Sequence, residues 1–406
     1  MRAHDICKAA VPVLTVRPTM ALRVAQFNIL GRRMAGTMWF HYARDFLPKY
    51  FANSCRGLRR ASCYHSFTRL AAKCVADYRS RRLAMKLNLP LDVARLHEET
   101  PLVPSEHLSE HLGAEVFLKM DCWQRPGSFK IRGIGRTVGL AVAAGAQHVV
   151  TSSGGNAGLA AAYAAKRLGV PATVVLPSTT PAAVHERLRR YGAEVVVHGD
   201  VWDEADVRAQ QLVEELKGSY VHPFDQPSTW EGHASLVEEL ARQLPRPPDA
   251  IVTCVGGGGL LMGILQGLSA AGWLDTTRVV FGETQGASSM SQSLAAGELV
   301  TLPSIDSVAK SLGAKRVSRA AFDRCVELGP ARVLPAVTTD AAAVAACLKL
   351  AEHHRALVEP ACGAALAAVT ERSAALAGCR TVVVEVCGGA IVDVPSLNAW
   401  ARDLGL

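Results

Sequence analysis

Aromatic residues make up only 6% of this 406-residue chain, and its 11 cysteines include no Cys-x-x-Cys pair and no Cys/His spacing suited to zinc. An odd, thinly spread set of cysteines argues against a secreted disulfide framework and for a reducing compartment. Acidic residues are nearly missing from one end: residues 1–91 hold 17 lysines and arginines against 3 acidic residues, while the remainder holds 27 against 33. The net charge of +8 thus belongs to that end, and the body lacks the basic face that nucleic acids require. Charge of either sign is absent from 137–165 and 251–274. Glycines interrupt both runs, Gly154-Gly155 in one and Gly256 to Gly259 in the other. Each therefore reads as strand, turn and helix of a covered parallel sheet, not as a membrane span. Disorder throughout is excluded by the 49% hydrophobic content.

The basic end, 1–93, has the composition of a transit segment, with Arg32-Arg33, Arg59-Arg60 and Arg81-Arg82. An unstructured extension, or sequence upstream of a start at Met85, is the plainer alternative. A cytoplasmic protein is expected on that alternative, a mitochondrial one if the segment is a transit peptide. From about residue 94 the pattern becomes regular. Strands are predicted at 115–120, 148–151, 172–176, 194–198, 250–255, 278–283 and 381–386. Helices are predicted at 156–168, 181–190, 203–217, from about 260, near 340–353 and at 362–376. Strands alternating with helices imply an α/β fold with a mostly parallel sheet.

Three segments carry candidate chemistry. Gly256 to Gly259 end a β-branched strand and open an apolar helix. Without side chains, that backbone can aim successive N–H groups at one anion at the positive end of a helix, which suits a phosphate. No Gly-Lys-Ser/Thr follows, so it is not a Walker loop, and the dinucleotide spacing is missing too. The second segment is Gly127-Ser128-Phe129-Lys130-Ile131-Arg132-Gly133. A lysine between apolar neighbours becomes a nucleophile if burial lowers its pKa, although most lysines are solvated surface charges. The third, Ser152-Ser153-Gly154-Gly155-Asn156-Ala157, is another strand-to-helix turn. It suits a carboxylate and equally suits an ordinary helix cap.

In this order, Ser-Phe-Lys, Ser-Gly-Gly-Asn and tetraglycine resemble the fold type II pyridoxal-phosphate enzymes. The resemblance is nearest to the L-serine/L-threonine dehydratases and their serine dehydratase-like branch. It spans about 94–406 and includes Trp230-Glu231-Gly232-His233-Ala234-Ser235, Val358-Glu359-Pro360-Ala361-Cys362-Gly363 and Val386-Cys387-Gly388-Gly389. It implies two open, mostly parallel twisted sheets flanked by helices. The implied larger domain is 94–140 with 228–406, the smaller one 141–227, and a homodimer is implied. By the same resemblance Lys130 carries pyridoxal phosphate and moves the substrate Cα proton. Phe129 packs on the ring, Asn156 meets the ring oxygen, Gly256 to Gly259 hold the phosphate and Cys387 faces the ring nitrogen. Ser153, Gly154, Asn156 and Ala157 surround the substrate carboxylate. Carbonyls of Glu283, Ala287 and Leu312 would hold a monovalent cation such as potassium.

The implied reaction is dehydration and deamination of L-serine and L-threonine to the 2-oxo acid and ammonia, at modest rate. A neutral thiol at Cys387 suits elimination over transamination. Related racemases carry a serine where this chain has Gly154, so proton transfer on a second face lacks its donor. The alternatives are β-replacement, as in cysteine or cystathionine synthases, and a weakly catalytic cofactor-binding regulator. The chain departs from the family at Arg125-Pro126, at Gly282 and at Ala390-Ile391.

Overall fold

The computed structural model describes residues 95–180, 182–200 and 202–406; the basic extension read over 1–93 lies outside them. The chain runs through β1 (Leu102–Pro104), α1 (Glu106–Leu112), β2 (Glu115–Lys119) and α2 (Lys130–Ala143). A second stretch follows as β3 (Val149–Thr151), α3 (Asn156–Leu168), β4 (Ala172–Leu176), α4 (Ala182–Arg190), β5 (Glu194–Val197), α5 (Trp202–Glu215) and β6 (Ser219–Tyr220). Then come α6 (Pro227–His233), α7 (Ser235–Gln243), β7 (Ala250–Cys254), α8 (Gly259–Ala271), β8 (Arg278–Thr284) and α9 (Ser289–Ala296). The last elements are α10 (Arg319–Leu328), β9 (Val333–Thr338), α11 (Asp340–His354), α12 (Pro360–Thr370), β10 (Thr381–Glu385) and α13 (Val394–Asp403).

These strands form two sheets. One has six strands in the order β1-β2-β10-β7-β8-β9, the other four in the order β5-β4-β3-β6. Only β1 runs antiparallel, against β2; the other pairings are parallel. The central β10, Thr-Val-Val-Val-Glu, and β7, Ala-Ile-Val-Thr-Cys, are buried at every residue. Helices cover both faces of such strands, which is why their sequences run apolar without alternation. The uncharged run 251–274 resolves into β7, the glycine loop and α8, and no helix among the described residues is long and apolar enough to cross a membrane.

Several features depart from the sequence-based expectation; helices α1, α2, α6, α7, α9, α10 and α13 were not anticipated. The helix expected over 362–376 ends at Thr370, and a separate 3-10 turn occupies Ala374–Leu376. Arg372 adopts a left-handed φ of 50°, which stops the α-helix, and Ser373 then caps the new turn through Ala375 N. Strands β1, β6 and β9 were not expected either. Pro104 and Pro335 stand in edge strands, the places where a missing N–H is tolerated.

A buried ion cluster anchors the start of α2. Arg132 is fully buried and meets Asp121 at 2.6 Å and Glu239 at 2.7 Å, while Lys119 meets Glu239 at 2.6 Å. Burial alone would raise the Glu239 pKa; hydrogen bonds and charge from Arg132 and Lys119 pull it below the ordinary carboxylate value. The fork of Arg132 thus fixes the helix turn that carries Lys130, two residues away.

Candidate active site

At the end of β7 the chain turns through Gly256 to Gly258 into α8, whose N-cap Gly258 has φ 94° and no side-chain cap. Among the described residues no backbone or side-chain acceptor takes the N–H groups of Gly256, Gly257, Gly258 or Gly259. Four neighbouring donors at a helix start make an anion cradle. Phe224 covers its outer side: a Cβ added at Gly257 would stand 2.3 Å from the Phe224 ring.

Lys130 opens α2, and its Nζ donates to the Pro223 carbonyl at 2.7 Å, in the same 222–225 loop that covers the glycines. Burial lowers its pKa from 10.5 to about 8, with Cys254, Glu359 and Cys387 opposing part of that shift. The amine lies 5.3 Å from the centroid of the neighbouring Phe129 ring. Segment 127–129 is zipped to the loop after β10: Phe129 N donates to Cys387 O at 2.8 Å and Gly389 N to Gly127 O at 3.1 Å. Cys387 Sγ lies 3.6 Å from Cys254 Sγ. Hydrogen bonds to Cys254 and Cys362, together with burial, push its pKa well above the usual thiol range, so the thiol keeps its proton.

From the four-stranded sheet, β3 leads through Ser153, Gly154 and Gly155 to the N-terminus of α3 at Asn156 and Ala157, and no side chain caps that helix. Ser152, behind the turn, donates to Asp206 at 2.6 Å. A Cβ at Gly154 would stand 2.8 Å from Leu176 Cδ2 and 3.3 Å from Thr180 Cγ2, so β4 and the turn after it press on this position. Asn156 Nδ2 donates to Glu359 Oε1 at 2.6 Å, and Ser311 Oγ donates to Glu359 Oε2 at 3.0 Å. Burial raises the Glu359 pKa to about 7 against the pull of Ser311, Asn156 and Lys130.

The residues of the carbonyl trio are buried, with exposure of 0% for Glu283 and 1% each for Ala287 and Leu312. Glu283 uses its side chain elsewhere, taking Met290 N at 3.0 Å and Ser291 N at 2.9 Å at the start of α9. Leu312 lies against the glycine loop, its Cα 3.3 Å from a Cβ added at Gly256. No group of three or more His, Cys, Asp or Glu side chains that could hold a metal occurs among the described residues.

Three parts of the site escaped sequence reasoning. Pro223 and Phe224 act through a carbonyl and a ring that leave no motif. The Arg132 cluster joins residues more than a hundred positions apart. Glu359 did leave a signal: it is the single charged residue between Arg355 and Glu371.

The family model for pyridoxal-phosphate dependent enzymes matches residues 93–388. The chain belongs to that family. This pyridoxal-phosphate dependent enzyme is 48% identical to human "Serine dehydratase-like" over 317 residues, covering 76% of this chain and 95% of the relative. It is also 48% identical to human "L-serine dehydratase/L-threonine deaminase", covering 77% and 96%. Among solved structures, an L-serine ammonia-lyase from Rhizomucor miehei superposes with a TM-score of 0.71 at 36% identity, covering 76% of this chain and 99% of that one. The enzyme's residues fit the cofactor. Four unpaired N–H groups suit its phosphate, and a half-buried amine with a lowered pKa suits its aldehyde.

Proposed function

We propose that this enzyme dehydrates and deaminates L-serine and L-threonine, giving pyruvate and 2-oxobutanoate with net release of ammonia. The observation that carries the reading is the Lys130 amine, half-buried and lowered to about 8 beside an unpaired N–H cradle. When bound, pyridoxal phosphate supplies an aldehyde for that amine and a conjugated ring that stabilises negative charge at the substrate Cα. Gly256 to Gly259 bind its phosphate, Phe129 packs on its ring, Asn156 faces its ring oxygen and Cys387 its ring nitrogen. The N-terminus of α3, with Ser153, Gly154, Asn156 and Ala157, orients the substrate carboxylate. Lys130 Nζ, about half neutral at pH 8, takes the Cα proton. The β-hydroxyl leaves as water with a proton that balances the one taken from Cα, and the released enamine takes water back to give the 2-oxo acid and ammonia. The Cys387 thiol holds its own proton, which supports elimination over transamination.

The test is a coupled pyruvate assay on the cofactor-loaded protein with L-serine, alongside a 2-oxobutanoate assay with L-threonine. Keto acid from both, lost in Lys130→Ala, is expected. A loaded protein that forms no keto acid but joins sulfide to an activated serine would be a β-replacement enzyme instead. A homodimer and a cation held by carbonyls of Glu283, Ala287 and Leu312 belong to the same proposal; light scattering tests the dimer.

A further inference from the structure

Glu359 is the one buried acid at the site for which the reading above has no role. It is the N-cap residue of α12, 4% exposed, and its carboxylate accepts from two donors that come from different layers. Asn156 opens α3 beside the four-stranded sheet, whereas Ser311 belongs to the 3-10 turn against the glycine loop. An asparagine amide is planar, with two N–H donors on one side and an acceptor oxygen on the other. Once ionised, above its pKa of about 7, the carboxylate 2.6 Å away admits only the N–H side, because two facing acceptors repel. With one N–H held there, the plane and the flip of the amide are both fixed, and the second N–H is left for another acceptor.

We propose that Glu359 is a positioning residue that sets the flip of the Asn156 amide, so that its second N–H meets the anionic ring oxygen of the cofactor. The inference rests on the reading of Asn156 as a cofactor contact and deepens it. Without Glu359, the amide can turn its oxygen toward the ring oxygen and lose the contact. Ser311 sets the carboxylate in turn, tying Asn156 to the phosphate side of the site.

The test uses full-length holoenzyme and reads cofactor release on dilution, together with the position of the visible absorption band. Glu359→Leu should weaken retention of pyridoxal phosphate roughly tenfold, the scale of a hydrogen bond involving a charged group, and shift the band. Glu359→Gln should stay within about threefold of wild type, because its oxygen accepts from Asn156 and its N–H₂ donates to Ser311. In an Asn156→Ala background, Glu359→Leu should change retention by less than about threefold, since the residue it positions is gone. Full additivity of the two substitutions, or a Glu359→Leu enzyme with wild-type retention and spectrum, would overturn the proposal. Where Glu359→Leu yields no folded protein, Glu359→Asp draws the carboxylate back by one methylene and should give the same Asn156-dependent loss. Wild-type behaviour of Glu359→Asp would then count against the role. A wild type that never holds the cofactor on Lys130 removes the functional reading itself, which separates that failure from this one.

Discussion

Gly257→Ala puts the phosphate cradle to a steric test. Of the four loop glycines only Gly258 has a positive φ, so alanine at 257 meets no backbone penalty and its whole effect lies in contacts. The new Cβ would stand 2.3 Å from Cγ and Cδ2 and 2.5 Å from Cδ1 of Phe224. Relief requires the ring to retreat by roughly 1.5 Å to reach ordinary carbon–carbon contact. The ring is held from several sides. Trp230 Nε1 donates to the Phe224 carbonyl at 2.7 Å, His222 stacks edge-on at 4.7 Å, and the N–H of Asp225 is fixed on His222 Nδ1 at 2.8 Å. The preceding residue, Pro223, holds the Lys130 amine. Overpacking of this kind costs about 1–3 kcal/mol, which corresponds to roughly five- to hundredfold weaker cofactor binding if the strain falls on the bound form. Titration of apoprotein with pyridoxal phosphate, followed by absorbance, measures it, and a thermal melt of the apoprotein shows whether the strain falls there instead. Phe224→Ala in the same chain removes the obstacle and should recover most of the affinity. The steric argument is wrong if Gly257→Ala binds like wild type and melts like wild type, or if the loss persists in the double variant.

Other consequences follow from the same geometry. Borohydride reduction of the loaded enzyme should fix the cofactor to Lys130, and peptide mapping that finds the label elsewhere defeats the proposed function. Burial lowers Lys130 to about 8 although Cys254, Glu359 and Cys387 pull the other way, so the neutral amine grows as pH rises. Cofactor capture by the apoprotein should therefore climb about tenfold per pH unit below 8 and level off near 9; a further tenfold rise between 8 and 9 would mean an ordinary lysine. Arg132→Met leaves Asp121 buried without its cation and Glu239 with Lys119 alone and should cost about 3–5 kcal/mol in denaturant unfolding. A change under about 1 kcal/mol would contradict that. Replacing potassium by tetramethylammonium should lower activity, and full activity there removes the cation from the proposal.

What could be read from the sequence follows the reach of each signal. The elements from β3 to β5 and the β7–glycine–α8 unit depend on local runs of Val, Ile, Ala and Gly, and these gave their positions to within two residues. The resemblance over Ser128-Phe129-Lys130, Asn156 and the tetraglycine marked out one site, because each string is short and contiguous. What stayed hidden is made of pairings. Edge strands β1 and β9 exist only because a neighbour supplies their ladder, and their prolines argue locally against a strand. Arg132 reads as a surface arginine until Asp121 and Glu239 close around it. Gly282 shows the same logic from the opposite side. Its departure from the family pattern looks like a defect in the pocket, yet a Cβ there would stand 2.3 Å from the Ala364 carbonyl of α12. The glycine lets the alanine-rich α12 lie close on β8, and the N-terminus of that helix is where Glu359 sits. The position of the acid beside Asn156 thus depends on a residue 77 places earlier in the chain, a dependence that no contiguous motif can express.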